Sequence, residues 1–181
     1  ENYLSKNWRR NLKRSQKSLN NFSYREIDLL LEFDNVYKII IENSILKRYK
    51  YPYSKNFLKN IIIKSTNKLF AYGSYNKNNE LVAIRAFYKI GDKAIDFIAA
   101  SLPEALKTYV TYKIAFLLIM KAKYLGLNNY DLGGVDFDLN KGVYNFKKGL
   151  GGKLISNGKI NIAISVKNYF PSLIAKFFIR V

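Results

Sequence analysis

The chain has 181 residues, with 31 Lys+Arg against 13 Asp+Glu (net charge +18), 49% hydrophobic residues, and neither cysteine nor histidine. Its size and apolar content support one folded domain with a sizeable core and exclude a disordered chain. The two missing residue types exclude disulfides, thiol nucleophiles, histidine-based triads and ordinary zinc sites, a composition that fits a reducing, cytoplasmic compartment.

The charge attracts polyanions, whether nucleic acid, anionic lipid headgroups or phosphorylated substrates. Fifteen tyrosines add faces that stack on bases and sugars. The longest apolar run, IAFLLIM at 114–120, is far short of the ~20 residues that span a bilayer. The chain begins at Glu1, and Met120 is its single methionine. Further residues upstream are therefore expected, and any signal peptide would lie among them.

The first segment, NYLSKNWRRNLKRSQKSL, predicts an amphipathic helix. At about 100° per residue, Leu4, Trp8, Leu12 and Leu19 share one sector. Lys6, Arg9, Arg10, Lys13, Arg14 and Lys17 fill the opposite one. Arg9, Arg10, Lys13 and Lys17 are the candidate contacts to an anionic partner (phosphate, RNA or membrane), although a solvated helix face has the same pattern. FSYREI predicts a short strand. Two helical patterns follow between Asp34 and Ser65, separated at Pro52 by the loop RYKYPYS (48–54). Its Arg48, Tyr51 and Tyr53 are candidates for substrate binding, and packing alone also accounts for such tyrosines.

The period then changes to two. KLFAYGSY and ELVAIRAFYKI alternate around the hairpin signal NKNN, and GDKAIDFIAAS adds a third strand. These three predict an antiparallel meander. A long helix is predicted over EALKTYVTYKIAFLLIMKAKYLG (104–126), with a capping box from Ser101 and Glu104, Pro103 in its first turn and Gly126 as its C-terminal stop. NYDLGG predicts a strand parallel to the preceding one, and GVYNFKKGLGG a short helix with a glycine stop. KLISNGKINIAISV predicts a closing hairpin, and PSLIAKFFIRV an amphipathic C-terminal helix that packs on the core, docks another domain or lies on a membrane. No internal repeat or low-complexity linker is present.

Helices, a meander, a long helix, a strand and a short helix follow the order of the GNAT acyltransferase fold. Three stretches carry a closer resemblance: the basic helix WRRNLKRSQKS (8–18), the helix-to-strand passage YLGLNNYDLGGV (124–135) and GVYNFKKGLGGKL (142–154). Together they resemble the Fem-type peptidoglycan bridge aminoacyltransferases and the wider FemAB-like group, over residues 2–166. The resemblance implies an α+β, GNAT-like fold over 1–181, with a central, mostly antiparallel mixed sheet flanked by helices. Complete Fem proteins have two such halves, so this chain would be the second half of a longer tandem protein.

The resemblance further implies acyl or aminoacyl transfer to an amine of a cell-envelope precursor, peptidoglycan or surface polysaccharide. The donor would be aminoacyl-tRNA or acyl-CoA, with no permanently bound cofactor or metal. The acceptor would be a lipid- or nucleotide-linked saccharide, met in the cytoplasm at the inner membrane face, with peripheral contact to anionic lipid. An acyl-CoA-dependent enzyme acting on a nucleotide-linked amino sugar is one alternative. A non-catalytic basic module binding RNA or a partner domain is another.

Such a transfer needs no enzyme nucleophile, because the acceptor amine attacks the ester or thioester directly. The protein aligns the partners, stabilises the oxyanion and manages one proton. Lys147, at the lysine of the family's F-K signature, is the first catalytic candidate, since a fixed ammonium there binds a phosphate or developing negative charge. Asp131 is the second, at a strand end where it either accepts a proton or caps the Gly133–Gly134 turn. Tyr144, Lys148, Gly133 and Gly134 are assigned to substrate binding, and Phe146 to anchoring its helix. Asp136 and Asp138 match no calcium loop. GNAT enzymes using acetyl-CoA usually hold its pyrophosphate on a glycine-rich loop before the long helix. Here that stretch is AASLPEALK, without glycine, with its helix amides taken by the predicted capping box and with the negative charge of Glu104, so CoA is not expected to bind in the usual way.

Overall fold

The computed structural model describes residues 4–18, 20–135 and 140–155. Leu19, Asp136, Asp138, the turn and second strand of the predicted closing hairpin, and the predicted C-terminal helix lie outside them. Five strands form one sheet in chain order: β1 (Ser23–Glu26), β2 (Leu69–Tyr75), β3 (Leu81–Ile90), β4 (Lys93–Ser101) and β5 (Asn129–Asp131). The first four are antiparallel neighbours, and β5 lies parallel to β4. The architecture is thus the α+β one expected, with a mostly antiparallel sheet between helices. No helix among the described residues is long and apolar enough to cross a membrane.

Helices cover both faces of the sheet. α2 (Phe33–Leu46) and α3 (Lys55–Lys64) bury Val36, Ile39, Ile40, Leu58 and Ile62 against Ala71, Ile84, Ala86, Ile98 and Ala100. On the other face α5 (Val110–Tyr124) packs Ile114 against Ala83, and Leu118 and Ala122 against Phe87 and Ala94. Burial on both sides explains why β3 is buried from Leu81 to Phe87. α1 (Lys6–Lys17) lies on α5. Trp8, Leu12 and Ala115 form the contact, while Lys6, Arg9, Arg10, Lys13, Arg14 and Lys17 stay exposed.

Between β3 and β4 the register shifts by one residue at Ala86/Phe87. In the register that pairs Ala83 with Ser101, Asp96 would stand opposite Tyr88. The bulge sets it opposite Phe87 instead, on the face that also carries Arg85, because a one-residue slip exchanges the two faces of a strand.

The predicted long helix is two helices. α4 (Pro103–Lys107) ends at Thr108, Tyr109 takes a left-handed conformation (φ 61°), and α5 begins at Val110. The Ser18 hydroxyl from the end of α1 donates to the Thr108 carbonyl at 3.2 Å, and Arg14 donates to the Tyr109 hydroxyl at 3.0 Å. Tertiary bonds thus hold the break open in the sequence TYVTY, whose β-branched and aromatic residues favour a helix weakly. Nor does the expected capping box form. Ser101 is the last residue of β4, paired with Ala83, and its carbonyl accepts from Asn43 Nδ2 at 2.7 Å. Leu102 is the N-cap and makes no side-chain bond. Gly126 does stop α5 as expected, in the left-handed conformation (φ 72°) that glycine adopts without strain.

Candidate functional site

α6 (Lys141–Gly149) starts at Asn140, whose side chain accepts from the Val143 amide at 3.2 Å. Aromatic packing fixes its place. Phe146 meets Trp8 at 5.8 Å and Tyr112 at 5.0 Å between ring centroids, and Trp8 meets Tyr112 at 5.1 Å. The Ser5 amide donates to the Gly149 carbonyl at 2.8 Å. Phe146 is therefore the anchor the sequence predicts, and α6 is clamped to α1 and α5.

That clamp aims Lys147 at the end of β5. Its ammonium donates to the carbonyls of Gly133 (3.2 Å) and Gly134 (2.6 Å). Asp131 Oδ1 accepts from the Gly133 amide at 2.7 Å, the Asx turn that a left-handed glycine (φ 71°) permits. Both catalytic candidates thus hold the same turn, Lys147 by its carbonyls and Asp131 by an amide. An ammonium has three donors, and among the described residues two of those of Lys147 are used. Burial lowers its pKa below the ordinary lysine value; the Asp96 charge partly opposes this, the Arg85 charge adds to it, and Asp131 pulls the other way.

Behind Lys147 lies a buried polar network. Arg85 on β3 grips Asp96 on β4 with two donors, Nε to Oδ1 at 3.1 Å and Nη2 to Oδ2. The Tyr130 hydroxyl on β5 donates to Asp96 Oδ1 at 3.0 Å. The Phe146 ring covers the guanidinium at 5.1 Å. Burial works against the Arg85 charge, yet Asp96 and the Tyr130 hydroxyl outweigh it and hold the pKa above the ordinary arginine value. Burial and the Asp96 charge push the Tyr130 phenol far above its ordinary value. From the other side of the sheet, Lys47 follows α2. Its ammonium is held below the ordinary lysine value by burial and then by the Arg85 charge, although much of the residue's surface stays in solvent.

A cavity of about 850 Å³ opens beside β5 and α6. It collects Asp131, Gly133, Gly134, Tyr144, Lys147 and Lys148 from the expected residues, and adds Lys93 and Lys153. Lys148 also lies 5.6 Å from the Tyr144 ring centroid, one helical turn away. Among the described residues that line it, four lysines stand against one carboxylate. Arg48, Tyr51 and Tyr53 do not line it; they sit in the α2–α3 connection, with α2 and α3 on the opposite face of the sheet from α6. Tyr51 packs on the core under α2, and burial pushes its phenol up to about 12. Arg9, Arg10, Lys13 and Lys17 lie on the exposed side of α1 and outside the cavity.

The sequence alone does not single out Arg85, Asp96, Tyr130 and Lys47. A signal for one of them, Arg85, is present. In LVAIRAFYKI, Arg85 falls on the same parity as Ala83 and Phe87, so it points into an apolar face. A buried charge there requires a partner.

Beside this network the sheet opens. β4 and β5 pair over only three residues each, 93–95 with 129–131. From Asp96 to Ser101, β4 has no strand on that side among the described residues. Ala99 is exposed in mid-strand there, while Ile98 and Ala100 are buried.

Neither a family model nor a curated protein matches the chain. Solved structures do. A GNAT-family acetyltransferase from Staphylococcus aureus Mu50 superposes with a TM-score of 0.66 at 14% identity, over 77% of this chain and 89% of that one. A predicted acetyltransferase from Clostridium acetobutylicum, solved with acetyl-CoA, gives 0.61 at 15% identity over 78% and 96%. An aminoglycoside acetyltransferase from an uncultured soil metagenomic sample, solved with sisomicin, gives 0.60 at 10% identity over 82% and 99%. The described residues have the GNAT fold.

Proposed function

We propose that the chain is an N-acyltransferase that moves an acyl group from a thioester donor of the acyl-CoA kind to an amine. The observation that carries this reading is the parting of the parallel strands β4 and β5 next to Lys147. The open edge of β4 offers amides and carbonyls in the spacing of a strand. The arm of CoA contains two amides and can pair with such an edge as an added strand does. Two of the structural relatives named above support the donor and the acceptor chemistry: one was solved with acetyl-CoA, the other with an aminoglycoside.

The step is one of positioning. The free amine attacks the thioester carbonyl, the thiolate leaves, and the proton released from the amine must be accepted. In this reading the third donor of Lys147 stabilises the oxyanion. Asp131 is the carboxylate at the cavity that accepts the proton, directly or through water. The Arg85–Asp96 pair is too well neutralised to serve as a base and instead supports the wall that carries Lys147.

The four lysines around the cavity favour an acceptor that carries phosphate. A lipid- or nucleotide-linked amino saccharide of the cell envelope has this chemistry, and it agrees with the FemAB-like resemblance of 124–135 and 142–154. A second reading replaces the thioester with aminoacyl-tRNA. The exposed cationic side of α1 favours it, because Lys6, Arg9, Arg10, Lys13 and Lys17 present a stripe without an acidic neighbour on the helix.

Isothermal titration with acetyl-CoA distinguishes the donors. Binding in the range of roughly 1 µM to 1 mM is expected. The start of α4 carries no side-chain cap but keeps Glu104 in its first turn and has no glycine. Glu104→Gln should therefore change the affinity less than twofold, about 0.4 kcal/mol. A flat titration, combined with transfer from aminoacyl-tRNA, would establish the second reading instead.

A further inference from the structure

The α2–α3 connection and the helix ends beside it hold a second surface, outside the cavity beside β5 and α6. Ile45 is 69% exposed, Leu46 55% and Phe57 51%, and Tyr49 and Tyr53 are also exposed. Tyr53 stacks on Phe57 at 5.3 Å and meets Tyr51 edge-on at 5.6 Å. Since Tyr51 is anchored in the core, the ring series is fixed rather than free to fold inward. Other exposed large apolar residues, such as Leu31, Ile90 and Leu106, are spread along the chain.

Lys47, Arg48 and Lys50 stand among these side chains, all exposed. Of the two acids on α2, Glu42 pairs with Lys38 at 3.9 Å and Asp34 with Lys55, a lysine of the same segment, at 2.8 Å. We propose that residues 45–57 are a docking surface for an anionic lipid bilayer. Tyrosine rings and cationic heads suit the headgroup layer, while aliphatic tips and Phe57 enter the acyl boundary. Exposed isoleucine and leucine side chains contribute nothing to a phosphate backbone, which favours lipid over RNA as the partner.

Placement adds a consequence. The α1 stripe lies on the opposite face of the sheet, since α1 packs on α5 and α2 packs on the other side. It stays free for a different polyanion while the α2–α3 surface is seated.

Flotation of the full chain with vesicles tests this without any substrate, so its outcome is independent of acyl transfer. The protein should float with phosphatidylcholine vesicles that contain phosphatidylglycerol and much less with phosphatidylcholine alone. The I45S/L46S/F57S variant should lose about tenfold or more in partition, and R48E/K50E should lose the dependence on phosphatidylglycerol. The α1 variant R9E/R10E/K13E should float as the parent does. Circular dichroism melts confirm that each variant is folded, and a misfolded triple variant leaves R48E/K50E to decide. Equal flotation of the folded surface variants overturns the proposal, as does a loss confined to the α1 variant. Two further results also overturn it: a dimer that the serine variant converts to monomer, or a surface whose variants lose tRNA binding while vesicle binding persists.

Discussion

Lys147→Ala is expected to lower acyl transfer by about 10²–10³-fold, the loss seen when one pre-aimed donor to a developing oxyanion is removed. Two effects add in this residue. Its third donor is lost to the reacting carbonyl, and the Gly133 and Gly134 carbonyls lose the ammonium that ties them to α6. The pH dependence separates the roles. The ammonium is the active form, and its pKa lies below the ordinary lysine value, so transfer should fall as pH rises through that lowered value. Lys147→Arg keeps its charge to much higher pH and should shift this descending limb upward or remove it, even if its longer fork costs rate. Transfer rates measured across the alkaline range for the parent and both variants check the assignment. An unchanged rate in Lys147→Ala, with the fold intact, would show that the oxyanion is held elsewhere.

The largest expected effect on stability comes from Asp96→Ala. Arg85 and Asp96 are about nine-tenths buried, with side-chain exposures of 11% and 10%. Removing the carboxylate leaves a buried guanidinium without a counter-charge and takes the acceptor from Tyr130. Breaking such a pair costs about 3–5 kcal/mol, which in a domain of this size lowers Tm by roughly 6–20 °C. The double variant R85M/D96L removes both charges and should recover most of that loss, because the pair stabilises little beyond an apolar substitute of similar volume. Thermal melts of the parent, the single and the double variant decide the matter. A single variant within about 1 kcal/mol of the parent would mean that water reaches the pair.

These two effects differ in how far the sequence shows them. Lys147 is visible as a residue type in a short helix that ends in glycines, and Phe146 beside it is legible as the anchor. What Lys147 bonds is not legible, since Gly133 and Gly134 reach it only once Trp8, Tyr112 and Phe146 have clamped α6. The two-helix form of 103–124 is hidden for a similar reason. Helical periodicity runs through TYVTY without a break, and the contacts of Ser18 and Arg14 from α1 make the interruption. The capping box fails because sheet pairing claims Ser101 first.

Periodicity and composition determine on their own what depends on nearest neighbours along the chain: the amphipathic α1, the alternating meander, the glycine stop of α5 at Gly126, and the excess of cations. The tertiary structure alone decides which distant residues share a place. One extra residue in β4 turns Asp96 from the Tyr88 face to the Phe87 face, where Arg85 waits. It also puts the α1 stripe and the α2–α3 surface on opposite sides of the sheet. Local sequence sets the period of each element, but register and packing are properties of pairs of elements, and a bulge of one residue suffices to exchange their partners.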